Sequence, residues 1–171
     1  MRAVRGMNNV PPSGPGAKQQ AVVHRFKELG LRGITSRFVG ASDEYIAGLE
    51  GQAGFRLPDC YKGFIRDVGA SLFSEDSGFR PLVPSPWAVN GVESFDVFYG
   101  MSEKLAVDLR RVNSRLQGVI GTGRIAIGHD PGSNLILLDA SGAVYFFDRE
   151  TGQEFLCAKD FASFLASFEP R

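Results

Sequence analysis

The chain reads as an α+β fold, with an antiparallel or mixed sheet and helices packed mainly on one side. Three stretches predict it. Ser42–Gly69 holds two helix starts, one helix stop and an obligate chain turn; Ile125–Asp148 holds three short apolar runs separated by turn residues; Ala158–Phe168 returns to a helical period. No period of twenty to fifty residues repeats, so solenoids and propellers are excluded.

Taken in order, residues 1–16 are rich in Gly, Pro, Asn and Ser and predict a flexible arm. Ala17–Leu29 predicts an added helix, with Val22, Val23, Phe26 and Leu29 on one side and Gly30 as its stop, suited to covering an open sheet edge. Residues 1–40 are accordingly read as a basic arm carrying that helix, and 41–171 as the domain. Ser42 caps the next helix, whose first turn sets Asp43 and Glu44 against the macrodipole and whose buried stripe is Tyr45, Ile46 and Leu49. Gly51 and Gly54 end it. Pro58 opens another helix, because proline is tolerated in a first turn and holds Leu57 extended. There Tyr61, Phe64, Ile65 and Val68 fall at i, i+3, i+4 and i+7, one apolar face, and Gly69 stands where a left-handed residue is needed.

After Gly69 the helical period is lost, and Ser77-Gly78, Pro81, Pro84, Pro86 and Asn90-Gly91 interrupt short apolar pieces. Ser94–Tyr99 alternates Phe95, Val97 and Tyr99 against Ser94, Asp96 and Phe98 and predicts a half-buried strand. A helix is expected from a Ser102 cap to Leu116. Leu105, Leu109, Val112 and Leu116 would face inward, with Glu103 near its start, Arg110, Arg111 and Arg115 near its end, and Gly118 stopping it. The three following strands, joined by Asp130–Asn134 and Ser141-Gly142, predict an antiparallel meander. Phe161, Phe164, Leu165 and Phe168 line the last helix.

These residues resemble the SMI1/KNR4 family, also called SUKH. Its members open with an acidic-capped helix, then an "LP-x-x-Y/F-K-x-F-hydrophobic" helix, matched here by Leu57, Pro58, Tyr61, Lys62, Phe64 and Ile65, and a glycine, matched by Gly69. IAIGHDPGSNLILLDASGAVYFFD and AKDFASFLASF are similar to the family's closing strands and final helix; 71–123 matches loosely, and Val68 replaces an asparagine many members carry. The resemblance implies a non-enzymatic, protein-binding domain. Bacterial members are regarded as immunity proteins that bind and neutralise polymorphic or contact-delivered toxins, many of them nucleases or deaminases; this chain is accordingly expected to occlude a toxin's active site. It equally implies, as the alternative, a regulatory interaction module like the fungal members.

With 171 residues and 43% apolar content, the chain can bury a full core, roughly 70% of its unfolded surface. Net charge is zero, but residues 1–37 carry seven Lys/Arg and one Glu (7 − 1 = +6), and residues 38–171 carry twelve Lys/Arg and eighteen Asp/Glu (12 − 18 = −6). A basic face suits duplex nucleic acid, so the acidic part speaks against that partner and for a basic protein. No apolar run approaches a membrane span, the N-terminus has no apolar leader core, and Cys60 and Cys157 form no CxxC or Cys/His cluster, which predicts reduced thiols in a cytoplasmic protein.

Chemistry is offered sparsely. His129-Asp130 invites a metal or hydrolase reading but needs further ligands, and the other histidine, His24, lies in the arm. Neighbouring strand residues face opposite sides, so Asp130 is read as organising the DPGSN turn. GVIGTG at 118–123 follows a helix and precedes a strand, the reverse of a phosphate loop, and there is no Gly-x-Ser-x-Gly elbow. No catalytic residue, metal or cofactor is expected. What remains is a run of acids (Glu75, Asp76, Glu93, Asp96, Glu103, Asp108) interleaved with Trp87 and Tyr99, with Arg80 and Lys104 the only bases beside them. In loop-rich sequence, these eight are the candidate partner-binding residues.

Overall fold

The computed structural model describes residues 15–171 except Ser36; the side chains of residues 15–19 and of Glu75 fall outside that set. The flexible arm expected at 1–16 lies almost wholly outside the described residues.

The chain runs α1 (Pro15–Glu28), β1 (Leu31–Gly33), α2 (Asp43–Ala53), α3 (Asp59–Asp67), β2 (Ser71–Phe79), β3 (Glu93–Phe98), α4 (Leu109–Ile120), β4 (Arg124–His129), β5 (Leu135–Asp139), β6 (Val144–Phe147), β7 (Glu154–Ala158), α5 (Phe161–Ala166) and β8 (Phe168–Pro170). The fold is α+β, as expected. Its eight strands form one sheet in the order β1-β2-β3-β4-β5-β6-β7, with β8 on β2, and all these pairings are antiparallel. β2 is the branch point: β1 pairs with its first residues and β8 with its last, while β3 takes the other edge.

Helix ends follow the local chemistry. The Ser42 side chain accepts from the Tyr45 N–H, and α2 runs through Gly51 to a left-handed Gly54, so Gly54 alone is its stop. Gly69 has φ +63°, and a Cβ there would also collide with the Val39 carbonyl, so both conformation and space exclude a side chain. The core is aromatic. Phe26 of α1 and Phe64 of α3 pack with Phe73, Phe98 and Phe168 from β2, β3 and β8, the Phe26 and Phe168 ring centroids 5.1 Å apart and those of Phe64 and Phe98 5.0 Å apart. Phe26 and Leu31 are buried members of this core, so the stretch from Pro15 to Gly33 is built into the same body as the rest. Leu135–Leu138 bury all four side chains, which covers both faces of the sheet at β5.

Two stretches depart from the sequence expectation. Ser71–Phe79, read as broken by Ser77-Gly78, is the longest strand. Its buried Ser71 and Ser77 donate their hydroxyls to the Gly69 and Leu29 carbonyls, so polar residues fill positions where an apolar alternation would announce a strand. The helix expected from Ser102 begins at Leu109 instead. Ser102 closes only a turn, Asp108 is the cap, accepting from the Arg111 N–H at 3.0 Å, and Leu105 is exposed. Arg110 and Arg111 therefore sit in the first turn of α4, not its last, and Gly118 lies within the helix. Phe168 is buried as expected, though in β8 rather than on the last helix.

Candidate docking surface

The connection from β2 to β3 is the most unusual surface of the molecule. It carries Pro81, Pro84 and Pro86, whose rings fix φ, and every other residue from Leu82 to Val89 has its backbone N–H bonded. Leu82 and Val83 donate to the Cys157 and Leu156 carbonyls of β7 at 3.0 and 2.9 Å. This ties the connection to a strand four places from β3 in the sheet and requires the sheet to curl. Ser85 N–H donates to the buried Glu93 carboxylate at 2.6 Å, Trp87 N–H to the Ser85 hydroxyl, Ala88 to the Ser85 carbonyl and Val89 to that of Val92. Asn90 and Gly91 both have positive φ, 55° and 77°, the mirror-image turn that an Asn-Gly pair favours in hairpins.

On this rigid connection the apolar side chains point outward. Leu82, Val83, Trp87 and Val89 are 58%, 48%, 58% and 53% exposed. The Trp87 indole N–H donates to Asp148 at 3.2 Å, which fixes the ring without covering it. Burial works against the Asp148 carboxylate, but hydrogen bonds from Thr151, Glu150 and Trp87 outweigh it and hold its pKa below the usual carboxylate range. Trp87 also borders an open cleft of about 540 Å³ with Ser133, Asn134, Asp148, Arg149 and Glu150.

The eight residues singled out in the sequence do not form one patch. Glu93 and Asp108 are buried: the first anchors Ser85, and the second caps α4 and accepts from Tyr45 Oη at 2.9 Å and from the Ser102 N–H at 3.2 Å. Tyr99 is buried with its hydroxyl 2.9 Å from His129 Nδ1, and burial raises its pKa to about 12. Asp76 is exposed and paired with Arg171, Asp96 is half-buried, Glu103 is exposed beside α4, and Glu75 lies outside the described side chains. Trp87 is the exposed aromatic among them, on the same connection as Leu82, Val83 and Val89. Those three carry no signal in the sequence, because isolated apolar residues among prolines give no period.

The remaining chemistry is structural. Asp130 accepts from the backbone and side-chain amides of Asn134 at 2.7 and 3.0 Å, organising the turn in which Ser133 has φ 67°. Burial lowers the pKa of His129 against the pull of Asp96 and Asp130. Burial raises the thiol pKa of both Cys60, on α3, and Cys157, in β7, which keeps them protonated and weakly nucleophilic. Among the described residues no group of three or more His, Cys, Asp and Glu is placed to hold a metal, and no helix is long and apolar enough to cross a membrane.

An eight-stranded antiparallel sheet under a layer of short helices, with a pinned apolar loop on its surface, defines an α+β domain. The chain belongs to the SMI1/KNR4 family (SUKH-1), whose model matches residues 40–167. No curated protein matches the chain.

Proposed function

We propose that this chain is an immunity protein, binding a bacterial protein toxin and occluding its active site, with Leu82, Val83, Trp87 and Val89 as the central contact. The observation that carries this reading is the rigid display of four large apolar side chains on a loop in which every N–H from Leu82 to Val89 is bonded. Exposed apolar clusters mark interaction sites, and a contact surface already held in place loses little entropy on binding. Tryptophan is the most favoured anchor at such surfaces. Membership of the SUKH family supports a role of the immunity-protein type. The charge of −6 over residues 38–171 favours a basic toxin, such as a nuclease, through long-range attraction that raises the association rate.

The test is affinity capture from the native host at moderate salt, followed by expression of the captured protein alone and with this chain. Capture of a protein that arrests growth by itself and is neutralised by the wild type, but not by Trp87→Ala, supports the reading. Recovery of a non-toxic partner, held equally by wild type and Trp87→Ala, overturns it and favours a regulatory module.

A further inference from the structure

We propose that the cleft between α2 and α4 is a second docking face, one that takes a carboxylate-bearing, partly apolar polypeptide segment with the Arg110 and Arg111 guanidiniums as its anion partners. This inference stands independently of the toxin-binding loop.

The cleft is open, about 670 Å³, and is bordered by Val39, Tyr45, Met101, Glu103, Arg110 and Arg111. Among the described residues neither arginine makes a salt bridge or a side-chain hydrogen bond, although Arg66, Arg80, Arg124 and Arg171 all find carboxylates. Their positions cost stability. Two cations in the first turn of α4 oppose its macrodipole, and Arg115, four residues beyond Arg111, adds a like charge. The Asp108 carboxylate at the cap and the Tyr45 ring offset part of this, but neither guanidinium is paired with a carboxylate among the described residues, as expected where a surface is kept for a ligand.

Arg110 is also held in place. Its guanidinium lies over the Tyr45 ring at 5.6 Å and against Gly48, where an added Cβ would stand 3.0 Å from Cζ and 3.1 Å from Nη1. The absent side chain at Gly48 is the seat of that guanidinium. The nearby backbone donors are already used, Arg110 N–H on Tyr45 Oη and Arg111 N–H on Asp108, so the guanidinium forks are what the cleft offers. Such forks match carboxylates two bonds at a time. The exposed Val39 in the same lining suits an aliphatic neighbour of those carboxylates. Glu103 in the same lining, and the negative charge of the folded part, disfavour a continuous polyanion, so the match to the two arginines is a segment whose few carboxylates are spaced by aliphatic residues.

The probe is a short peptide alternating glutamate and leucine, titrated into isotopically labelled full-length protein, with a glutamine–leucine peptide and duplex DNA as the other arms. The acidic peptide should shift the Arg110 and Arg111 Nε–H resonances and weaken at high salt. Its affinity should fall roughly tenfold in Arg110→Gln/Arg111→Gln, the combined scale of losing two exposed charge pairs. Gly48→Ala should displace the Arg110 Nε–H resonance and weaken binding by less than the double variant does, while the thermal midpoint does not fall, because alanine is the better helix former; Trp87→Ala should leave binding unchanged. No shift at the arginines, equal binding of the glutamine peptide, or tighter binding of duplex DNA would overturn the proposal.

Discussion

Single side chains carry much of the specification here, and several do so from positions that look like surface chemistry in the sequence. Asp108 is one: it caps α4 and satisfies Tyr45 and Ser102, so Asp108→Ala should destabilise the fold by about 2–3 kcal/mol, the sum of a lost cap and orphaned donors. Urea unfolding measures this; an unchanged midpoint would return Asp108 to the surface. Tyr61 is the converse case, its buried hydroxyl lacking a partner among the described residues, so Tyr61→Phe should hold or raise stability by up to about 1 kcal/mol in the same assay. His129 adds a pH dependence. Its folded pKa lies below the ordinary 6.5, so the native state binds the proton less readily than the unfolded chain. The stability it contributes is present above about pH 6.5 and is lost as pH falls below it. Between about pH 7 and pH 5 the urea midpoint should fall less steeply in His129→Gln than in wild type. The sequence carried no sign of these roles, because an aspartate that caps and one that contacts a partner are the same letter.

Helices and strands were legible where their signals were local. The Ser42 cap, the Leu57-Pro58 entry and the 3.6-residue stripe of Tyr61, Phe64 and Ile65 depend only on neighbours in sequence, and the meander after Arg124 follows from its turns. β2 and the start of α4 were not legible, since buried serines in one and a distant Tyr45–Asp108 contact in the other decide the outcome. The candidate surface was legible only at Trp87. Its loop depends on Glu93, whose buried carboxylate holds Ser85 N–H. Glu93→Ala should therefore speed amide exchange between Leu82 and Val89 while β4 and β5 stay protected. Trp87, the chain's sole tryptophan, gives a second readout through its emission. Unchanged exchange in the loop would mean that the prolines alone hold it.

Across the whole molecule, one aromatic core joins segments far apart in the chain, from Phe26 in α1 to Phe168 in β8. Phe26→Ala should cost roughly 3–5 kcal/mol and lower a single cooperative transition, because the ring is fully buried among four others. A separate early transition would instead show that α1 unfolds on its own. The fold class was readable because helix and strand patterns alternate in blocks; the curl of the sheet was not, since it rests on the β2–β3 connection reaching β7. That reach has a consequence for how the protein can diversify. The loop is fastened through its main chain and through Ser85, Glu93 and Asp148, so Leu82, Val83 and Val89 are free of any duty to the scaffold. Their identities can be exchanged by mutation while the architecture that presents them is inherited intact.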